Sequence, residues 1–268
     1  MTRSSKIRSG PVSRERRVGL ARALSKLGFC SRSHATSLIR QGRVTLNGKV
    51  RSNPEVPVSI EHDCMEVDGQ RVIARSCLYW MLNKPRGLVT STQDERGRDT
   101  IYSCLEADAP WLAPVGRLDK ASEGMLLLTN DTEWGARIAA PETHLEKRYH
   151  VQIATIAGAE LLTSLRKGIT MPDGEALRVK QAEVRGGGAR NCWVEIVLEE
   201  GRNRHIRRMF EQLGIPVLRL VRVAIGPLLL GDLPKGRVRP LTTEEKSLLD
   251  QAMGRKAERP RRLQDEGR

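Results

Sequence analysis

The N-terminal part of the chain begins with apolar residues at helical spacing. They recur every three or four positions from Leu20 to Leu27, which predicts an amphipathic helix that ends at Gly28. A second helix, through Leu38 and Ile39, is predicted to begin at Ser31 or Ser33, because serine side chains cap helix N-termini. The first predicted elements are therefore two short helices.

Alternating residues follow the second helix. Residues 44–46 and 49–50 read as two strands joined by Asn47-Gly48, a dipeptide typical of tight hairpin turns. Residues 51–76 predict further short strands that close a small domain, and we place its boundary within 74–77. The expected domain is thus a pair of helices followed by a hairpin, over residues 18–76.

Beyond Leu78 the pattern mixes strands and helices. Strands are predicted at 78–82, 125–129, 148–153, 192–199 and 218–225, where residues are apolar or alternate. Helices are predicted from Asp131 or Thr132 to a stop before Pro141, over 159–167, over 201–214 with Asn203 as N-cap, and after the capping box Thr242-x-x-Glu245. The triple glycine 186–188 reads as a hairpin tip. Strands outnumber helices and long crossovers are few, so the fold class predicted for this second domain is α+β with a mixed, largely antiparallel sheet.

The charge of the chain indicates what kind of partner it binds. The 268 residues contain 46 Lys and Arg against 32 Asp and Glu, a net charge of +14, which favours a polyanionic ligand. Within 18–50 there are six basic residues and no acid, a pattern typical of a phosphate-binding surface: Arg22, Lys26, Arg32, Arg40, Arg43 and Lys49. Residues 1–17 and 251–268 are expected to be a disordered basic arm and a disordered tail, which leaves 77–250 for the second domain.

Composition also argues against several classes of protein. No apolar run approaches the roughly 18 residues that span a bilayer, and no apolar stretch follows the basic N-terminus as in a secretory signal. Five dispersed cysteines and five histidines form no ligand-spaced cluster. We therefore expect a cytoplasmic protein with reduced thiols, no metal and no membrane.

Three residues stand out as candidates for chemistry. Asp119 lies between Arg117 and Lys120, just before the apolar run 125–129, and is either a site carboxylate or a member of a salt bridge. Tyr149 opens the alternating strand on its apolar side, and is either a stacking ring or core. Arg207 falls at the margin of the apolar face of the predicted helix 201–214, where it can turn inward to a carboxylate or lie over the core. Arg204 and Arg208 point away from that face and, with Arg202, are placed for phosphates.

Four segments carry a family resemblance. The motifs LNKPRGLV, GRLDKASEGMLLLTND, EKRYHVQI and GRNRHIRRMFEQLG resemble, in this order, those of pseudouridine synthases of the ribosomal small-subunit (Rsu) type. Residues 18–76 resemble the RNA-binding module of ribosomal small-subunit protein four. One departure is His205, where glutamine is expected; this difference is expected to leave the chemistry untouched and to alter RNA contacts.

The resemblance implies a function and its residues. It implies the pseudouridine synthase fold and isomerisation of uridine in ribosomal RNA or a ribosomal precursor, without cofactor, by a protein expected to be a monomer. Asp119 would be the catalytic aspartate, acting as nucleophile or base, and Tyr149 would stack on the flipped uracil. Arg207 would pair with Asp119 and Arg117 would help to hold the nucleotide. Lys84, in the first motif, joins the predicted RNA-binding set.

Two other functions remain as alternatives. One is an RNA-binding assembly factor without turnover, and the other is a base-excising enzyme. The second usually needs another carboxylate to activate water, and nothing in the sequence supports Glu123 in that role.

Overall fold

The computed structural model describes residues 17–91 and 97–254. By its internal contacts the chain divides into two compact units, the first ending at Ser76 and the second beginning at Cys77. The basic arm expected at 1–17 lies outside the described residues except for Arg17. The tail expected at 251–268 lies outside them from 255 onwards, and residues 251–254 are helical, which corrects the predicted start of the tail.

The first unit consists of two helices and short strands around its own core. Its elements are β1 (Val18–Gly19), α1 (Leu20–Lys26), α2 (Arg32–Arg40), β2 (Val44–Leu46), β3 (Lys49–Val50), β4 (Pro57–Val58), β5 (Met65–Val67) and β6 (Gln70–Arg71). The strands form one sheet in the order β3-β2-β5-β6 and a separate pair, β1 with β4. Leucines 20 and 24 of α1 are fully buried in this core, as their spacing predicts.

Local sequence signals fix the ends of these elements. The Ser31 hydroxyl accepts a hydrogen bond from the His34 amide at 3.1 Å and so caps α2. Asn47 and Gly48 both have positive φ, +51° and +75°, which is the conformation that a two-residue hairpin turn requires. The helix and hairpin predictions for this unit are confirmed.

The second unit is built on a nine-stranded sheet. Its elements are β7 (Tyr79–Lys84), β8 (Ala113–Pro114), β9 (Glu123–Thr129), α3 (Thr132–Ala139), β10 (Lys147–Ile153), α4 (Ala159–Lys167), β11 (Ile169–Thr170), β12 (Ala176–Leu177), β13 (Gln181–Gly187), β14 (Cys192–Leu198), α5 (His205–Gln212), β15 (Val217–Ile225), β16 (Leu228–Leu229), β17 (Val238–Pro240) and α6 (Thr243–Gly254). Short 3₁₀ turns occupy Ile101–Cys104 and Pro141–Thr143.

The sheet is almost wholly antiparallel. Its order is β13-β14-β10-β15-β9-β7-β17, with β16 beside β15 and β8 beside β9. Only β9 and β15, near the centre, run parallel among its paired strands. The predicted α+β class with a largely antiparallel sheet is confirmed.

Alternation along the strands gives the sheet two apolar faces. Leu126 and Leu128 of β9 pack in a core with α4 and α5, whereas Met125 and Leu127 pack in another with α3 and α6. Because the fully buried strand β9 contributes to both cores, it has a continuous apolar run rather than an alternating pattern.

Two boundaries differ from the predictions. Helix α5 begins at His205, and its N-cap is Arg204 with φ +48° and no side-chain cap, so the predicted Asn203 cap is wrong. Gly186 and Gly187 belong to the end of β13, where a bulge follows Val184. Only Gly188 of the predicted hairpin tip therefore lies beyond the strand.

Candidate active site

Asp119 lies in the loop that leads into β9. The Ser122 amide donates to the Asp119 carbonyl at 2.9 Å, and the Gly87 amide donates to the Lys120 carbonyl at 2.8 Å. The Thr90 hydroxyl donates to the Leu118 carbonyl at 2.7 Å. The backbone on both sides of Asp119 is thus fixed by hydrogen bonds, and its side chain is half-buried.

Lys84 fixes the same loop by hydrogen bonds to its backbone carbonyls. Its ammonium group is fully buried and donates to the carbonyls of Pro85, Asp119 and Ser122 at 3.1, 3.2 and 2.9 Å. Burial lowers the pKa of Lys84 to about 8, against the opposing effect of the Asp119 charge. The predicted RNA-binding role of Lys84 is wrong, because a side chain with no exposed surface cannot reach a phosphate.

Arg207 of α5 reaches the same loop by a backbone contact. Its guanidinium donates to the Ala121 carbonyl at 2.9 Å. Burial lowers the pKa of Arg207, and the nearby Asp119 charge acts in the opposite direction. The structure therefore brings Arg207 beside Asp119, while the direct pairing of the two side chains stays a prediction.

Tyr149 lies on β10 between β14 and β15, opposite Ile196 and Arg222. Only 9% of its surface is exposed, and it belongs to the core that packs against α5. It also lines a cavity together with Asp119. The two interpretations of Tyr149, core residue and site residue, are therefore both compatible with its position.

This cavity has a volume of about 330 Å³, within the usual size of small-ligand sites. Its walls come from the loop around Asp119, the start of β10, the end of β14, the start of α5 and the end of β15. Basic residues are prominent among its lining side chains, and they are Arg117, Lys147, Arg202, Arg204 and Arg222.

Two of the predicted phosphate contacts are paired with carboxylates. Arg202 lies 2.7 Å from Glu175 and 3.1 Å from Glu200. Arg208 lies 2.5 Å from Glu175 and 2.9 Å from Asp173. The prediction that both arginines are available for phosphates needs correction. Asp173 and Glu175 lie 27 to 35 residues before the arginines that they pair with, so no helix pattern reveals them. Arg204 is exposed and lines the cavity.

One arginine of the basic surface of the first unit is likewise paired with an acid from a distant part of the chain. Arg22, Arg32, Arg40 and Arg43 are exposed and Lys26 is half-buried. Arg43, however, forms two hydrogen bonds with the Asp68 carboxylate, at 2.8 and 2.5 Å. The absence of acids within residues 18–50 therefore does not leave every cation unpaired.

Sequence reasoning missed several residues of the cavity. Lys147 lies two residues before Tyr149 on the same face of the strand. The period-2 pattern of the strand could therefore have indicated it. Arg222 comes from β15 and had no sequence signal. His205, which the sequence analysis named only as a departure from the family, also lines the cavity; it is only 3% exposed, and burial lowers the pKa of its ring.

Unpartnered polar atoms are concentrated around this cavity. In the described part of the chain, seven buried side-chain nitrogen or oxygen atoms have no hydrogen-bond partner. Four belong to residues that line the cavity, namely the Ser122 hydroxyl, both His205 ring nitrogens and one terminal nitrogen of Arg222. Because such atoms are costly to leave unpaired, their concentration here favours a polar ligand.

Comparison with known proteins identifies the family. The family described as RNA pseudouridylate synthase matches residues 78–212, and the S4 domain matches residues 18–64. The chain belongs to the RNA pseudouridylate synthase family. The resemblance seen in the four motifs is thereby confirmed, and so is the presence of an S4 domain before the pseudouridine synthase fold.

Two relatives of this pseudouridine synthase and one solved structure span nearly the same length. The ribosomal large subunit pseudouridine synthase B of Bacillus subtilis is 34% identical over 84% of this chain and 93% of its own. An uncharacterized RNA pseudouridine synthase of Aquifex aeolicus is 38% identical over 89% of this chain and 96% of its own. A crystal structure of a pseudouridylate synthase is 32% identical, with a TM-score of 0.61, over 87% of this chain and 99% of that one.

The synthase must detach a base and rejoin it through another atom. Pseudouridine forms when the bond between C1′ and N1 breaks and C1′ joins C5, so the base has to leave any helix and turn within an enclosed space.

Within residues 17–91 and 97–254 no helix has the length and apolarity of a membrane span. The same residues contain no cluster of three or more His, Cys, Asp or Glu side chains suited to a metal ion.

Proposed function

We propose that this enzyme isomerises a specific uridine of ribosomal RNA to pseudouridine, with Asp119 as the essential carboxylate. The observation that carries the proposal is that Asp119 and Tyr149 line one cavity with a basic rim. Among the relatives, the protein from Bacillus subtilis is named for the large ribosomal subunit. That name favours large-subunit RNA, or a precursor particle containing it, as the substrate.

The geometry supports a division of roles. The flipped uracil stacks on Tyr149, whose ring lies in the cavity wall, and the exposed Arg117 holds the nucleotide at the entrance. The Lys84 ammonium and the Arg207 guanidinium hold the loop that carries Asp119, through the carbonyls of Asp119, Ala121 and Ser122. Asp119 then acts as nucleophile on the sugar or base, or as a general base, and both routes are compatible with this arrangement.

We further infer that the enzyme works as a monomer in the cytoplasm, as part of ribosome biogenesis. Support comes from the cysteines, since Cys30, Cys64, Cys77, Cys104 and Cys192 are all free thiols, which suits a reducing compartment. The basic S4 unit and the basic cavity rim supply the charge that binding to RNA requires.

The deciding experiment is tritium release from RNA labelled at uridine C5. Ribosomal RNA and subunit precursors from cells lacking the gene are incubated with wild type, with Asp119→Asn and with Asp232→Asn, an exposed control. Wild type and Asp232→Asn are expected to release tritium, because C5 exchanges its hydrogen for the glycosidic bond. Asp119→Asn is expected to be at least about a thousandfold slower with unchanged RNA affinity.

Two outcomes would contradict the proposal. Equal release by Asp119→Asn would remove the catalytic role of Asp119. Absence of release from every ribosomal substrate, with RNA binding intact, would favour the RNA-binding assembly factor instead.

A further inference from the structure

Among the described residues, four of the five Lys and Arg side chains that line the cavity have no carboxylate within 4 Å, and two of these four are not exposed. They are Lys147 at the start of β10 and Arg222 on β15. Arg222 is 6% exposed, and its Nε donates to the Met125 carbonyl at 2.8 Å. One of its terminal nitrogens has no partner. Arg222 is therefore held rigidly by its Nε while part of its hydrogen-bonding capacity stays unused.

The two cations are close enough to oppose each other. Burial lowers the pKa of Lys147 to about 8, and the positive charge of Arg222 acts in the same direction. Two like charges placed together in a partly buried site destabilise the empty protein. A bound anion would offset this cost and also satisfy the unpaired nitrogen of Arg222.

Nearby acids are engaged elsewhere. Glu199, in the wall of the cavity, lies 2.7 Å from Lys180, and Glu200 lies 3.1 Å from Arg202. Asp119, the third acid in the wall, influences the pKa values of Lys84 and Arg207. Two of the three carboxylates that line the cavity are thus paired with cations other than Lys147 and Arg222.

The strand register places this pair beside the ring of Tyr149. Lys147 lies two residues before Tyr149 on the same face of β10, a separation of roughly 7 Å. Arg222 is the residue opposite Tyr149 on β15, and Lys147 is opposite Ile225. This separation is comparable to that between a nucleobase and its own phosphate. A nucleotide whose base stacks on Tyr149 would then bring a phosphate to the cation pair.

We propose that Lys147 and Arg222 form a phosphate subsite that holds the backbone of the flipped nucleotide. The proposal deepens the function given above and rests on it. Its ligand is a phosphomonoester or phosphodiester attached to the stacked uridine, on its 5′ or its 3′ side. The subsite lets the enzyme recognise a uridine as part of a polynucleotide rather than as a free nucleoside.

The test measures binding of uridine, uridine 5′-monophosphate and uridine 3′-monophosphate to the full-length protein by isothermal titration. The proteins compared are wild type, Lys147→Gln and, as the matched control, Lys167→Gln at the exposed end of α4. Wild type is expected to bind one monophosphate at least about tenfold more tightly than uridine. Lys147→Gln is expected to lose that advantage and Lys167→Gln to keep it. The preferred monophosphate identifies the side of the sugar.

A second variant keeps the test decisive if Lys147→Gln fails to fold. Arg222→Lys keeps the charge but removes the planar group and the Nε that donates to the Met125 carbonyl, and it is expected to reduce the ratio of monophosphate affinity to uridine affinity. The proposal is overturned if the monophosphates bind no better than uridine to wild type, including the case in which none binds. It is also overturned if Lys147→Gln, folded as judged by circular dichroism, retains the full advantage.

These outcomes are independent of turnover. Failure of tritium release with an intact phosphate preference would reject the proposed reaction and keep the subsite. Release of tritium without a phosphate preference would keep the reaction and reject the subsite.

Discussion

At the scale of single residues, the ammonium group of Lys84 organises the loop around Asp119. Three backbone carbonyls surround it, those of Pro85, Asp119 and Ser122. A lysine in this position contributes charge to the site without touching RNA.

Replacement of Lys84 by Met should separate catalysis from binding. The variant removes the Lys84 donor from three backbone carbonyls, of which that of Asp119 keeps another donor, the Ser122 amide, so the free energy of unfolding is expected to fall by about 3 kcal/mol. Tritium release should fall at least about tenfold, because the Asp119 loop loses its support, whereas RNA affinity should change less than about twofold. Urea unfolding, tritium release and filter binding measure the three effects. A large loss of RNA affinity with normal turnover would restore Lys84 to the RNA-binding set.

Lys147 should make stability depend on pH in the alkaline range. Its pKa is about 8 in the folded protein against an ordinary value of 10.5, so between these values the unfolded chain binds more protons. Wild-type stability therefore gains from a rise in pH across this window. Relative to wild type, Lys147→Gln is expected to be most stable below pH 8 and to lose that advantage by about pH 10.5. Urea unfolding of both proteins at pH 7 and pH 10 checks this, and a difference independent of pH would contradict it.

At the scale of elements, most of the fold could be predicted from the sequence and the environment of individual side chains could not. Period-2 and period-3.6 patterns identified the strands and helices, and the caps of α2, α3 and α6 followed from Ser31, Asp131 and the Thr242–Glu245 box. The start of α5 was misplaced because a positive-φ arginine precedes it. Lys84 and Arg208 were misassigned because burial and distant acids depend on tertiary contacts.

Arg204, the N-cap of α5, and Arg208 within the helix should behave differently. Arg204 is exposed at the cavity, whereas Arg208 is held by Asp173 and Glu175. Arg204→Gln is expected to lower the slope of log affinity against log salt by about 1, while Arg208→Gln should leave it unchanged. RNA binding at several salt concentrations tests the pair, and equal slopes for both variants would contradict the assignment.

The single parallel contact of the sheet depends on Gly124. Its φ is +102°, and an added Cβ would collide with the backbone oxygen of Arg222 and lie 2.7 Å from its nitrogen. Gly124→Ala is expected to lower the free energy of unfolding by at least about 3 kcal/mol. Gly174→Ala is the control, since Gly174 has φ +80° but open space around it, and about 1 kcal/mol is expected there. Similar losses in urea unfolding would mean that φ alone matters.

At the scale of the whole molecule, each unit has its own core and contributes its own basic surface. The S4 unit presents exposed arginines on and around two helices, and the synthase unit presents arginines around its cavity. Each of the two units therefore supplies basic surface of its own for binding to RNA.

The salt dependence of RNA affinity should reveal how many of the phosphate contacts come from the S4 unit. Replacement of Arg22, Arg32 and Arg40 by Gln is expected to lower the slope of log affinity against log salt by about 2–3. Removal of three exposed charges of the synthase unit, Arg137, Lys167 and Arg190, serves as the control with equal change in net charge. If both triple variants flatten the slope equally, only bulk charge matters.

The central position of β15 also has a consequence for the order of folding. Arg222 meets Met125 across 97 residues of chain, and Asn83 of β7 meets Leu233 across 150. Contacts of such long range form slowly, and during synthesis from the N-terminus β15 emerges long after the Asp119 loop. A growing chain therefore has a complete S4 unit before it has a cavity wall. The nascent protein is expected to bind RNA before it is able to modify it.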